Sequence, residues 1–232
     1  MADGEHSGGE RPDGAKVRRV QANLLAAQER RLLTWLCGRM PGWVKPDHLT
    51  ALGLVGALMV LGGYAFSTVH ENWLWVCVAG YVVNWFGDSM DGSLARFRCV
   101  ERPRYGYFLD HSCDAIATVL ILLGIGASPY VALALAMVAM AGYLLMSIHA
   151  FLAVKAFGEL RLSYLAAGPT ELRLILIGLT LAMLVFGDHS RDRPTFTGFD
   201  YFVGGAGTLL IALFLVQTFR VGRELSGIDP KA

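Results

Sequence analysis

The chain has 232 residues, with 20 Lys and Arg against 19 Asp and Glu and a formal net charge of +1; 54% of it is hydrophobic, 17% is charged, and the mean hydropathy is +0.47. That composition excludes an ordinary water-soluble domain and points to an integral membrane protein, one bundle rather than two domains. Charge so close to balance identifies no partner by itself, and no nucleic-acid partner is expected.

In chain order, residues 1–15 are polar and Gly-rich, with no signal-peptide pattern, and are expected to form a disordered tail. Residues 16–40 come next as an amphipathic segment, helical over 17–39. Val17, Val20, Leu24, Leu32, Trp35 and Leu36 fall near one face, with Arg18, Arg19, Glu29, Arg30 and Arg31 mostly elsewhere. Such a helix lies in the headgroup plane with its arginines drawn to anionic lipid, or packs on a partner protein. Pro41 and Pro46 bracket a turn, and Asp47 or Thr50 is placed to cap the first apolar helix. Six apolar stretches of membrane-crossing length then occupy 49–68, 73–93, 106–125, 130–155, 171–187 and 201–219. The bundle is expected over 41–223, with a tail at 224–232.

Gly53, Gly56, Gly62 and Gly63 in the first stretch, and Gly204, Gly205 and Gly207 in the last, permit close helix approach. Ser147 and His149 are read as packing hydrogen bonders. Cys37, Cys77, Cys99 and Cys113 form neither a CxxC pair nor a zinc spacing, and are read as reduced packing residues. Eighteen of the Lys and Arg residues fall on one side of this topology, and only Arg191 and Arg193 on the other. Both termini are therefore expected in the cytoplasm.

The ends of the second and third stretches break the apolar pattern. Asp88, Asp91, Asp110 and Asp114 are found there, as Asp88-Ser-Met-Asp91-Gly92-Ser-Leu-Ala95-Arg96, nine further residues, then Gly106-Tyr-Phe-Leu-Asp110-His111-Ser-Cys-Asp114. A carboxylate at membrane depth costs about 2.5–3.5 kcal/mol on the insertion scale. Close carboxylates repel by about 4 kcal/mol per pair at an effective dielectric of 20. Spacings of three and four put each pair on one helix face, and two sequential antiparallel helices bring the pairs to similar depth. Four facing carboxylates can hold two hard cations by oxygen, and two such cations can clamp a diphosphate. Gly92, Ala95 and Gly106 keep the helix surface low for a flat ligand, and Arg96 can contact a phosphate. The bland readings are an ion or proton path, or salt bridges to Arg96 and Arg98.

This run resembles the signature of the CDP-alcohol phosphotransferase family, Asp-x-x-Asp-Gly-x-x-Ala-Arg, then Gly-x-x-x-Asp-x-x-x-Asp. All eight signature residues are present, with one residue more than is usual between Arg96 and Gly106. The resemblance implies an all-α membrane fold of six transmembrane helices preceded by an interfacial amphipathic helix. It places the active site at the cytoplasmic end of spans two and three, in a homodimer. It implies phospholipid synthesis, with a substituted phosphate moving from a CDP-linked donor to an alcohol or lipid acceptor and CMP leaving. Two ions of Mg²⁺ or Mn²⁺ are implied on Asp88, Asp91, Asp110 and Asp114, with Asp114 alternatively the base. Gly92, Ala95 and Gly106 are then the cytidine-facing surface, Arg96 a phosphate or wall contact, and Thr50 a further nucleotide contact.

Asp110-His111-Ser112-Cys113-Asp114 and Gly168-Pro169-Thr170-Glu171 look like elements of the choline and ethanolamine phosphotransferases. They lean the reading towards head-group transfer from CDP-choline or CDP-ethanolamine to diacylglycerol, with His111 held by Glu171 as general base. Arg161 and Arg173 favour the alternative, phosphatidyl transfer from CDP-diacylglycerol to inositol phosphate, glycerol phosphate or serine. An intramembrane prenyltransferase and a cation-binding transporter are the remote alternatives.

Overall fold

The computed structural model describes residues 26–157, 168–187 and 196–228. Among them lie seven α-helices: α1 (Ala26–Cys37), α2 (Pro46–Phe66), α3 (Leu74–Phe97), α4 (Pro103–Ala127), α5 (Leu133–Phe157), α6 (Pro169–Phe186) and α7 (Gly198–Ile228), with a single 3₁₀ turn at Glu71–Trp73 and no strands. Each of the six apolar stretches is a helix. Five helices, α2 and α4 to α7, are long and apolar enough to cross a membrane, which makes this a multi-pass membrane protein. α3 has the length, at 24 residues, but Asn84, Asp88 and Asp91 interrupt its apolar run. The expected tail at 1–15, the part of the amphipathic helix before Ala26, and Arg161, Arg191 and Arg193 lie outside the described residues.

Proline sets three of the starts. Pro46, Pro103 and Pro169 each stand in the first turn of α2, α4 and α6, where the missing N–H costs no helical bond. The cap expected of Asp47 or Thr50 is made otherwise. The Lys45 N–H donates to His48 Nδ1, Asp47 pairs with Arg102, and Thr50 turns inward. α3 ends with Cys99 in the left-handed region at φ 55. There the Cys99 and Val100 amides bond back to Arg96 and Ala95 carbonyls, the double closure usually built on glycine. α7 runs to Ile228, into the stretch expected as a tail. Its 31 residues span about 46 Å, more than the roughly 30 Å of a hydrocarbon core.

Glycine sets the closest approach. A Cβ on Gly56 would lie 2.3 Å from the Asn84 amide, and one on Gly87 would lie 2.3 Å from the Gly53 amide. α2 and α3 therefore touch backbone to backbone. Gly207 meets Ala139, and Gly142 meets the Gly207 carbonyl, in a second seam between α5 and α7. Gly62 and Gly205 have nothing within 4 Å, so the close approach expected of them is not made.

Around the first seam Tyr64, Leu74, Cys77, Tyr81, Ile121, Ile125 and Met183 form the main core. The Tyr64 hydroxyl shares hydrogen bonds with Thr180 and Tyr81 inside it. Ser147 bonds to the Tyr143 carbonyl of its own helix, and His149 meets Thr218. All four cysteines are free, Cys37 and Cys77 buried, Cys113 half-buried and Cys99 exposed.

α1 does not present the face expected of it. Leu33 and Cys37 are buried with Val44, Leu49, Met90 and Leu94, and Leu36 packs beside them, whereas Leu32 and Trp35 point outward. The inward stripe is set by contact with α3, which the helical periodicity of α1 alone cannot report. Arg98 fixes the turn after α1 by donating to the carbonyls of Met40, Pro41 and Val44.

Candidate active site

The α2–α3 seam carries the last turns of α3 to the first turns of α2, and α4 returns antiparallel beside them. At this end Asp88, Asp91, Asp110 and Asp114 line one cleft with Thr50, Gly53, Leu54, Asn84, Cys113 and Ala117. The two acidic pairs thus meet, as their spacing required.

Each carboxylate has its own setting. Asp91 is buried; Thr50 Oγ1 donates to its Oδ2 at 2.6 Å and the Gly92 amide to its Oδ1. Asp88 accepts from Arg173 Nη2 at 2.7 Å. The same guanidinium donates through Nε to Asn84 Oδ1 at 2.8 Å, and Asn84 Nδ2 donates to the Gly53 carbonyl. Asp110 Oδ2 lies 3.1 Å from His111 Nδ1. The imidazole sits between the rings of Tyr107 and Phe151, at 4.2 and 5.0 Å between centroids. Asp110, His111 and Asp114 bring one ligand atom each to within 4.8 Å of one another.

The donor set, carboxylate oxygens with one imidazole, suits a hard divalent cation. The buried carboxylate Asp91 already points its two oxygens at fixed donors, so its orientation is set before any ion enters.

Three sequence expectations meet different geometry. His111 and Glu171 do not pair: His111 is held by Asp110, and Glu171 Oε2 accepts the Gly168 amide at the start of its own helix, at 2.9 Å. Thr50 is engaged with Asp91 rather than standing open to a nucleotide. Arg173 is already tied to Asp88 and Asn84. The bland pairing of the acids with Arg96 and Arg98 is not made. Arg96 donates to Ser93 Oγ, and Arg98 serves the α1–α2 turn. Gly92 lies under the Arg96 guanidinium, while Gly106 faces open space and Ala95 is half-exposed. Sequence reasoning missed Asn84, and it read Glu29, which accepts bonds from Trp85, Ser89 and Thr170, only as part of the polar face of α1. Asn84 carried a signal, a lone amide four residues before Asp88 in an apolar run. Glu29 carried none, sitting among charged neighbours.

A family model described as CDP-alcohol phosphatidyltransferase matches residues 43–218. The chain belongs to that family. Among curated proteins, the Homo sapiens Cholinephosphotransferase 1 is 31% identical over 124 residues, 47% of this chain and 30% of that protein. The Danio rerio Cholinephosphotransferase 1 is 33% identical over 96 residues, 39% and 25% of the two chains. The Phosphatidylinositol phosphate synthase of Cutibacterium acnes is 30% identical over 82 residues, 35% and 37%. The matched stretches thus span about a third of the length of these relatives. The family match removes the prenyltransferase alternative.

Proposed function

We propose that this chain transfers a substituted phosphate from a CDP-linked donor to an alcohol in membrane phospholipid synthesis, releasing CMP. The observation that carries the reading is the convergence of four aspartates from α3 and α4 on one cleft, in a chain of this family. Asp88, Asp91, Asp110 and Asp114 would hold Mg²⁺ or Mn²⁺, two ions to the site. Such ions supply neutralising charge to a diphosphate and to the attacking and leaving oxygens.

The chain's own residues do the rest. Thr50 and the Gly92 amide orient Asp91. Arg173 offsets the charge of Asp88, so the four acids coexist before donor binds. Arg96, exposed and bonded to Ser93, receives a donor phosphate, with Gly92, Ala95 and Gly106 as the open surface for cytidine. His111, steered by Asp110 and flanked by two rings, takes the proton of the attacking hydroxyl, with Asp114 the other candidate for that role. Glu171 acts first as the cap of α6, and a separate catalytic part for it is tested by Glu171→Gln.

The favoured donor is a CDP-linked head group such as CDP-choline or CDP-ethanolamine, with diacylglycerol as acceptor. The Asp-His-Ser-Cys-Asp run and the cholinephosphotransferase relatives support it. The phosphatidylinositol phosphate synthase relative supports phosphatidyl transfer from CDP-diacylglycerol as the second reading. Arg173, already engaged by Asp88, weighs against the open basic acceptor pocket which that reading needs. The same proposal makes α3 the sixth crossing, puts the site and both termini in the cytoplasm, lays α1 at the membrane surface through Leu32, Trp35 and Trp43, and pairs the chain as a homodimer.

The test is CMP release by the purified protein with Mg²⁺. CDP-choline or CDP-ethanolamine is offered with diacylglycerol, and CDP-diacylglycerol separately with a panel of polar alcohols. Release with the soluble donors supports head-group transfer, and release only with the lipid-linked donor establishes the second reading. No release with any donor, or release indifferent to divalent metal, sinks the enzymatic proposal and leaves a cation-binding transporter.

A further inference from the structure

The inward stripe of α1 contains a charge. Glu29 lies four residues before Leu33 and eight before Cys37, on the face that packs against α3. A carboxylate placed there is costly unless its oxygens are bonded. Glu29 Oε1 accepts three hydrogen bonds: from Trp85 Nε1 at 3.0 Å, Ser89 Oγ at 3.2 Å and Thr170 Oγ1 at 2.7 Å. Trp85 and Ser89 are one turn apart on α3, and Thr170 stands in the first turn of α6. All three donors are neutral, and the Thr170 bond sets the carboxylate at the positive end of α6, where an anion is favoured.

These bonds adjoin the acidic cleft. Ser89 is next to Asp88 in sequence. Thr170 lies three residues before Arg173, on the same side of α6, and Arg173 is the partner of Asp88. The start of α6 is therefore pinned to α3 at two levels, by Glu29 through Thr170 and by Asp88 through Arg173. Glu29, Leu33 and Cys37 share this inward face of α1, so the docking of the helix and the bonding of this carboxylate go together.

We infer that Glu29 is a positioning residue for the acidic site: its carboxylate ties α1 to α3 and α6 and so fixes Arg173 against Asp88. The inference rests on the proposed transferase reading. α1, the helix nearest the proposed membrane surface, thereby becomes part of the active-site scaffold.

The experiment is hydrogen exchange on the purified full chain, without donor, comparing the peptide at the start of α6 with one from its apolar middle. Glu29→Ala and Thr170→Val are each expected to speed exchange at the start of α6 by about tenfold while the middle stays unchanged. Glu29→Gln, which keeps an acceptor oxygen, is expected to restore most of the protection. The double variant is expected to be no faster than Glu29→Ala alone, since the two residues share one bond. In the CMP-release assay, Glu29→Ala is expected to lower kcat and raise the Mg²⁺ concentration for half-activation with little change in donor KM. Unchanged exchange at α6 in both single variants overturns the inference, as does a lower melting temperature with unaltered kcat and Mg²⁺ activation. Exchange is read without turnover, so a chain that releases no CMP but shows the local loosening defeats the transferase reading and leaves the tie itself standing.

Discussion

Asp91 is the most constrained acid in the cleft, and Thr50 is what constrains it. Thr50→Val removes the 2.6 Å donor while keeping the shape. Loss of such an outer partner commonly costs about 10–100-fold in metal affinity or activity. Thr50→Val is therefore expected to lower CMP release by about that factor, with Thr50→Ser near wild type; equal rates in Val and Ser would remove Thr50 from the site. Asp91→Asn and Asp110→Asn are expected to abolish turnover in protein that still elutes as a folded species in detergent, and wild-type rates in either refute the metal assignment. The residue types and their spacing made these acids legible without coordinates. Their partners were not: Arg173 lies 85 positions from Asp88, and nothing local to either residue says that α6 packs on α3. Thr50 was singled out from its surrounding pattern, yet its hydroxyl's target, 41 positions away, depends on the register of α2 against α3.

At the scale of elements, the backbone contact between α2 and α3 sets the register that puts Thr50 over Asp91. Gly56→Ala and Gly87→Ala each force a methyl group into backbone, and overpacking of this kind costs about 1–3 kcal/mol or more. Both variants are expected to lose thermal stability or aggregate on extraction, whereas Gly62→Ala, facing open space, is expected to melt as wild type. Size-exclusion profiles after a temperature series distinguish them, and a stable Gly87→Ala protein would contradict the close approach. The helices α2 to α7 were readable from hydropathy, their starts to within a few residues, but the prolines that start α4 and α6, Pro103 and Pro169, stand two or three residues ahead of the starts that hydropathy gave. The inward face of α1 was not readable, because Leu32 and Leu33 are adjacent and equally apolar. Only the α3 surface decides that Leu33 goes in.

For the whole molecule, the acids meet at one end of the bundle, while the opposite end is closed by buried Asp200, which accepts the amides of Ala132 and Thr197. The bundle is thus tied by polar contacts at both ends, and by a mainly apolar core between that encloses the hydroxyls of Tyr64, Tyr81 and Thr180. An ion binding only the folded state stabilises it by about 2.7 kcal/mol at a hundredfold excess over its Kd. Mg²⁺ is accordingly expected to raise the melting temperature of the wild-type protein and not of Asp91→Asn. EDTA is expected to stop CMP release, and fresh Mg²⁺ to restore it. A melting temperature indifferent to Mg²⁺ in the wild type would count against a resident ion.

The glycine seam also bears on how such a chain enters a bilayer. α3 alone offers Asn84, Asp88 and Asp91 to lipid, and a segment of that kind partitions poorly by itself. Flat against α2, it hides Gly80, Gly87 and the Asn84 side chain, which bonds the Gly53 carbonyl. Under the proposal that α3 is the sixth crossing, the two helices are fitted to enter the bilayer as one hairpin. On that proposal, a substitution that spoils the seam is expected to leave α3 outside the membrane rather than merely loosen a finished bundle.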